Sequence, residues 1–357
     1  MSRFLCDRYR TLKPYTPGEQ PKIAGRLIKL NTNENPYGPA PGAVKVMNDE
    51  IERLNLYPDP EASLFTEAVA GYYGIDSNQV IAGNGSDEML AFVFMALQGP
   101  NGKIYFPEIS YSFYPVYCDI FGAEGIKVPL DNDFSINPED YFGVDGTIVI
   151  TNPNAPTGMA LSLQQIEKIL EENRDSLVVI DEAYVDFGAE SAVKLIDMYD
   201  NLLVIQTLSK SRSLAGARIG FAMGNSDIIE DLNRIKFSFN PYNLNRLSIL
   251  AGKEAMDDRE YFEETRHCIM RTREIFVDKM RNMGFYVLPS KANFVFAASD
   301  QIPGEKYFSE LRKYNIIVRH FNDEKINNYV RITIGTPDDM DALVRATEEI
   351  LDKNRRR

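Results

Sequence analysis

Thr207-Leu208-Ser209-Lys210-Ser211-Arg212-Ser213-Leu214-Ala215-Gly216-Ala217-Arg218-Ile219-Gly220 is the most informative stretch of the chain. The residues ahead of it, Leu202 to Gln206, are short, apolar and β-branched, the pattern of a buried strand. A lysine directly after such a strand enters the interior, whereas lysine is normally solvated. Burial disfavours the ammonium and brings the amine toward nucleophilicity near neutral pH. Hydroxyls flank it at Thr207, Ser209 and Ser211, and Arg218 follows on the same connection. The set suits an aldehyde ligand that bears a phosphate: the amine takes the carbonyl carbon, and the hydroxyls and guanidinium take the anion. Read alone, the stretch also admits a polar loop with a surface lysine.

Three other segments have the same placement at a strand end. Leu177-Val178-Val179-Ile180-Asp181-Glu182-Ala183-Tyr184 delivers an acid to the C-terminal end of an apolar strand, where open α/β sheets bind ligands. That carboxylate suits a protonated ring nitrogen, and Tyr184 suits a phenolic oxygen on the same ring; a metal ligand or a helix cap is the plainer alternative. Gly83-Asn84-Gly85-Ser86-Asp87-Glu88 is a glycine turn feeding a helix, whose free N–H groups form an anion site. It lacks both the GK[ST] of a P-loop and the GxGxxG of a dinucleotide site, which removes support from ATP and NAD. Thr151-Asn152-Pro153-Asn154-Ala155-Pro156-Thr157-Gly158 is a loop stiffened by two prolines, with amide donors, again after a buried strand.

Strand and helix patterns alternate from about 60 to 225, which predicts an α/β domain with a mostly parallel sheet flanked by helices. Ser162 with Gln165 marks one helix start, and Gly74 stops the helix that begins near Ala62. After about 240 the texture changes. Asn245 to Met283 reads as mostly one long helix, followed by short alternating strands that include Ile316 to His320 and Tyr329 to Ile334. A last helix starts at Thr336 and Pro337. We expect an N-terminal arm (1–30) joined to the smaller domain, a large domain (31–245) and a smaller α+β domain (246–357).

Length and composition agree. A chain of 357 residues with 44% hydrophobic and 25% charged residues is long enough for two domains and needs no disulfide or metal staple. The net charge of −13 argues against a nucleic acid or an anionic membrane as the main partner. Arg3, Arg8, Arg10, Lys13, Lys22, Arg26 and Lys29 make the first 30 residues basic, so the arm is a candidate for packing across a subunit. Three scattered cysteines without a CxxC pair, and two histidines, argue against a disulfide framework and a metal site. The start MSRFLCDRYR has no signal-peptide core, and no apolar run spans a membrane, so a cytoplasmic location is expected.

In order and spacing, the four segments together resemble the fold-type-I pyridoxal-phosphate aminotransferases. Within that family the chain is similar to the histidinol-phosphate aminotransferases. The finer markers are Leu30-Asn31-Thr32-Asn33-Glu34-Asn35-Pro36-Tyr37-Gly38, Tyr57-Pro58-Asp59-Pro60 and Tyr329-Val330-Arg331-Ile332-Thr333-Ile334-Gly335. The resemblance implies pyridoxal 5'-phosphate as cofactor, with Lys210 as the lysine that carries it. It implies that Asp181 meets the ring nitrogen and Tyr184 the ring hydroxyl. Ser86, Asp87, Thr207, Ser209 and Arg218 would gather round the phosphate, with Tyr111 stacked on the ring. Tyr57 would reach the phosphate in the neighbouring subunit, which implies a homodimer with shared sites.

For the substrate, the resemblance implies Arg331 at the α-carboxylate, Arg319 at the distal phosphate, Tyr15 closing over the pocket, and Asn35 nearby. One departure is Ala155, where the family commonly has an asparagine on the ring hydroxyl; Asn154 or Tyr184 alone is expected to serve instead. The implied reaction is transamination between histidinol phosphate and 2-oxoglutarate in histidine biosynthesis. A phosphothreonine decarboxylase, a broad aromatic aminotransferase and, outside enzymes, a cofactor-binding regulator are the rival readings.

Overall fold

The computed structural model describes residues 3–20, 26–99 and 101–355; Lys22 of the basic arm lies outside them. Seven strands form the large sheet, in the spatial order Val80–Gly83, Gly220–Gly224, Leu202–Thr207, Val178–Asp181, Thr147–Thr151, Lys103–Pro107 and Glu124–Val128. Only Gly220–Gly224 runs against its neighbours. The cause is local. The connection from Thr207 to Gly220 carries no crossover helix, only the 3-10 turn Ala215–Ala217, and the chain returns antiparallel beside the strand it has just left. Both ends of that connection therefore sit at the C-terminal edge of the sheet, and Lys210 and Arg218 sit there with them. The four central strands from Gly220–Gly224 to Thr147–Thr151 are buried along their whole length, as a sheet covered on both faces requires.

Local signals set the ends of two of the helices that cover it. Ser162 and Gln165 form the reciprocal capping box of Leu163–Glu171, and Gly74, at φ +73°, ends Ser63–Tyr73. Two apolar clusters lie on the two faces of the sheet, one around Ile150, Ile180 and Val204, the other around Val149, Val179 and Ile205. Alternate residues of the same strands feed opposite clusters.

A third cluster, around Phe276, Phe294, Ile332 and Leu343, belongs to the smaller domain. There, a four-stranded antiparallel sheet runs in the order Arg319–His320, Tyr329–Thr333, Phe294–Ala298, Tyr286–Val287. Ile28–Lys29 pairs parallel with Ile316–Ile317, which ties the segment after the arm to this domain.

Two details differ from the sequence reading. The single helix expected over 245–283 is two, Arg246–Asp257 and Arg259–Asn282. Asp258 leaves the helical region at ψ 74°, and its carboxylate accepts from the Tyr261 N–H, so it caps the second helix instead of continuing the first. The first of these helices buries Ile249, Ala251, Ala255 and Met256 in the same cluster as Ile150, Ile180 and Val204. The strand expected over 316–320 splits at Val318, because Ile316–Ile317 pairs with the N-terminal segment and Arg319–His320 with Tyr329–Thr333.

Candidate active site

Lys210 projects from the connection after Leu202–Thr207. Its Nζ donates to the carbonyl of Thr32 at 3.1 Å and lies 5.8 Å from the centre of the Tyr184 ring. Burial, reinforced by the Arg331 charge, brings the amine down to about 8, against the opposing pull of Glu34 and Asp87. The connection itself is braced. Asn35 Nδ2 donates to the carbonyls of Lys210, at 2.9 Å, and Ser211, at 3.2 Å, and the Ser211 hydroxyl donates to Asp186.

Asp181 ends its strand almost fully buried. Its Oδ2 accepts from the Tyr114 hydroxyl at 2.8 Å and its Oδ1 from the Ala183 N–H at 3.2 Å. Desolvation outweighs those bonds and raises its carboxyl to about 6. Tyr184 lies beyond it, with its hydroxyl accepting from Asn33 Nδ2 at 3.0 Å.

The anion corner is the start of helix Ser86–Ala96. Gly85, at φ +81°, precedes it, and no side chain caps it. Arg218 lies alongside, at φ +55°, and pairs with Asp87 at 2.9 Å, while Asp87 also accepts from the Tyr111 hydroxyl at 2.9 Å. The close approach of the two segments needs Gly220: a Cβ there would lie 2.1 Å from the Ser86 nitrogen. The hydroxyls of Thr207 and Ser209, 2.9 Å apart, line the same corner.

Arg319 and Arg331 face each other in register on neighbouring antiparallel strands, so both guanidinium groups leave the same face. Arg331 donates to the Asn31 carbonyl at 2.9 Å, and its buried Nε has no acceptor among the described residues. Burial lowers the pKa of this guanidinium below its usual value. Arg319 reaches the Thr16 carbonyl at 3.5 Å, and both groups lie over the Phe321 ring, at 5.6 and 5.8 Å. Tyr15 packs on Phe113, with ring centres 4.9 Å apart.

These groups line one cavity of about 300 Å³ between the domains. All the site residues expected from sequence line it except Asn154, Tyr57 and Asn35. The Asn154 amide is engaged with the Ile109 carbonyl, at 3.0 Å, and with Thr157, and Asn154 is not among the residues that line the cavity. Asn33, which sequence reasoning did not assign, supplies an amide at Tyr184 instead. Asn35 braces the lysine connection through the Lys210 and Ser211 carbonyls and is not among the residues that line the cavity. Tyr57 is 78% exposed and stacks on Tyr242 on the outer surface.

The second unassigned residue is Tyr114. Asn33 stands in the marker stretch that holds Asn35, and Tyr114 lies three positions after Tyr111, and nothing in the local pattern distinguishes them. The donor set fits a phosphorylated aldehyde with a basic ring nitrogen: an uncapped helix start beside Arg218 for the phosphate, a depressed lysine for the aldehyde, and a buried carboxylate for the ring.

Residues 26–346 match the family model for aminotransferase class I and II, the class that this fold and cavity define. A histidinol-phosphate aminotransferase of Pseudomonas putida is 52% identical over 347 residues, which cover 97% of this chain and 99% of that protein. The crystal structure of the histidinol-phosphate aminotransferase from Clostridium acetobutylicum superimposes with a TM-score of 0.84 at 25% identity, covering 92% of this chain and 100% of that one. The enzyme of that name from Sinorhizobium meliloti, solved in complex with pyridoxal-5'-phosphate, shares the fold at a TM-score of 0.84 and 22% identity, covering 92% and 91% of the two chains. The chain belongs to the class I and II aminotransferases, and within them to the histidinol-phosphate aminotransferases.

Proposed function

We propose that the protein is a pyridoxal 5'-phosphate-dependent transaminase that exchanges an amino group between histidinol phosphate and 2-oxoglutarate, in histidine biosynthesis. The observation that carries the reading is the convergence of the depressed Lys210 and the Arg319–Arg331 pair on one cavity. The chemistry the cofactor supplies when bound is an aldehyde that receives the amino group and a ring that draws off the electron pair of the broken C–H bond. Lys210 would hold the cofactor at its aldehyde carbon, and its amine, once free, would move a proton at the substrate α-carbon. An amine near 8 is partly neutral at physiological pH, which both roles need.

Asp181 keeps the ring nitrogen protonated, and Tyr184 donates to the ring hydroxyl. Ser86, Asp87, Thr207, Ser209 and Arg218 hold the phosphate, and Tyr111 stacks on the ring. Arg331, with an unengaged buried Nε, binds the α-carboxylate of glutamate. Arg319 binds the distal phosphate or γ-carboxylate, and Tyr15 covers the pocket.

The enzyme acts as a cytoplasmic homodimer. What supports the dimer is the run of exposed large apolar side chains Ile51, Leu54, Leu56, Tyr57 and Leu64, with Tyr57 stacked on Tyr242. No helix of the described residues is long and apolar enough to cross a membrane.

The test is the substrate profile of Arg319→Lys, which replaces a planar fork by a point charge. kcat/KM for histidinol phosphate is expected to fall by about 10-fold or more, from loss of a charge-assisted bond. Alanine, which has no distal anion, loses little. Equal losses for histidinol phosphate, glutamate and alanine would make Arg319 a structural residue and remove the phosphate-specific reading.

A further inference from the structure

Tyr114 opens helix Tyr114–Phe121, is fully buried and does not line the cavity, although its partner Asp181 does. Its ring stacks on Phe94 with centres 5.8 Å apart, and meets Phe106 and Tyr111 edge-on at 5.7 and 5.6 Å. A phenylalanine would satisfy all three contacts. The hydroxyl has a separate use, because a buried hydroxyl is costly unless it is bonded, and this one has two partners. It lies 2.8 Å from Asp181 Oδ2 and 2.7 Å from Thr151 Oγ1.

Counting protons fixes the direction. Ionised Asp181 has none to give, so the Tyr114 proton points at the carboxylate. The Thr151 hydroxyl then donates to the Tyr114 oxygen. Thr151 stands in register with Asp181 on the adjoining parallel strand, so the sheet itself sets this spacing. Burial and the adjacent carboxylate raise the phenol far above its usual range, so it remains a donor.

We propose that Tyr114 is a positioning residue for the reaction: the relay Thr151–Tyr114–Asp181 holds the Asp181 carboxylate ionised and aimed at the cofactor's ring nitrogen. The Ala183 N–H pins the other oxygen, so rotation of the carboxylate is checked at both ends. A donated hydrogen bond favours the charged form against the desolvation that raises this acid. The inference rests on the reading of Asp181 as the partner of the ring nitrogen, and the experiment separates the two.

Dissociation constants of pyridoxal 5'-phosphate, and of its analogue with C–H in place of the ring nitrogen, are measured by absorbance titration of the full-length wild type, Tyr114→Phe, Thr151→Val and Asp181→Asn. Tyr114→Phe is expected to weaken the natural cofactor roughly 10-fold, the scale of one hydrogen bond to a charged group, and to leave the analogue unchanged. In turnover, kcat falls while KM for the amino donor holds. Thr151→Val shows the same selectivity at smaller size, and it carries the test if Tyr114→Phe fails to fold. Equal weakening of cofactor and analogue, or no weakening of either, overturns the proposal. If Asp181→Asn also fails to distinguish the two ligands, the reading of Asp181 falls, and the role of Tyr114 falls with it.

Discussion

At Asp181, function and stability pull in opposite directions. Burial raises its carboxyl from an ordinary 3.8 to about 6, so the folded chain holds the proton more tightly than the unfolded chain. That contribution favours the fold at low pH and is lost as pH rises from about 4 through 6; above 6 the ionised group is a net burden on the cofactor-free protein. Asp181→Asn removes the charge and keeps the shape. Relative to wild type, the cofactor-free variant is expected to gain about 1–3 kcal/mol between pH 4 and pH 8, the size of a two-unit shift. Urea denaturation at a series of pH values measures this, and stability curves that stay parallel over the range would contradict it. The same variant, measured at saturating cofactor, is expected to slow transamination by orders of magnitude, because the ring nitrogen then faces a neutral amide.

Among the elements, the contact of strand Gly220–Gly224 with helix Ser86–Ala96 has the least slack. An added methyl at Gly220 would meet backbone atoms of Gly85 and Ser86, which cannot rotate away. Gly220→Ala is expected to cost about 1–3 kcal/mol, the range of overpacking, and to weaken cofactor binding, since the two halves of the phosphate corner move apart. Gly71 is the counterpart: it lies inside helix Ser63–Tyr73 with open space where a Cβ would stand. There, Gly71→Ala is expected to stabilise by about 0.5–1 kcal/mol through helix propensity. Thermal melts of both variants, with a cofactor titration of the first, check the pair. Equal shifts of the same sign would mean that neither local environment matters.

For the whole molecule, Tyr57 tests the assembly. Its ring is on the outside, far from the cavity of its own chain, so a direct part at a cofactor requires a second subunit. Tyr57→Phe is expected to weaken cofactor binding by about 1.5–3 kcal/mol, the value of a hydrogen bond to a charged group, without changing the dimer. Sedimentation and cofactor titration test the two halves separately. A wild-type monomer with full activity at assay concentration would rule out shared sites.

The sheet, the order of its loops and the placing of Lys210 and Asp181 were legible in the chain, because each depends on a local pattern. A short apolar run means a buried strand, and in a parallel sheet the residue that ends such a run lies at the ligand-binding edge. The break at Asp258 was less visible, since an acid on a polar helix face and an acid that caps a helix look alike until the backbone turns. The partners of the site side chains were not legible. Asn33 meets Tyr184 and Tyr114 meets Asp181 across separations of 151 and 67 residues, and Ala155 left the source of the amide near Tyr184 open. The opposition of Arg319 and Arg331 likewise follows from strand register, not from their spacing. Residue type and periodicity select an element, but a hydrogen bond needs two atoms within about 3 Å. Between positions so far apart, that distance is set only when the sheets pair and the loops close over their ends.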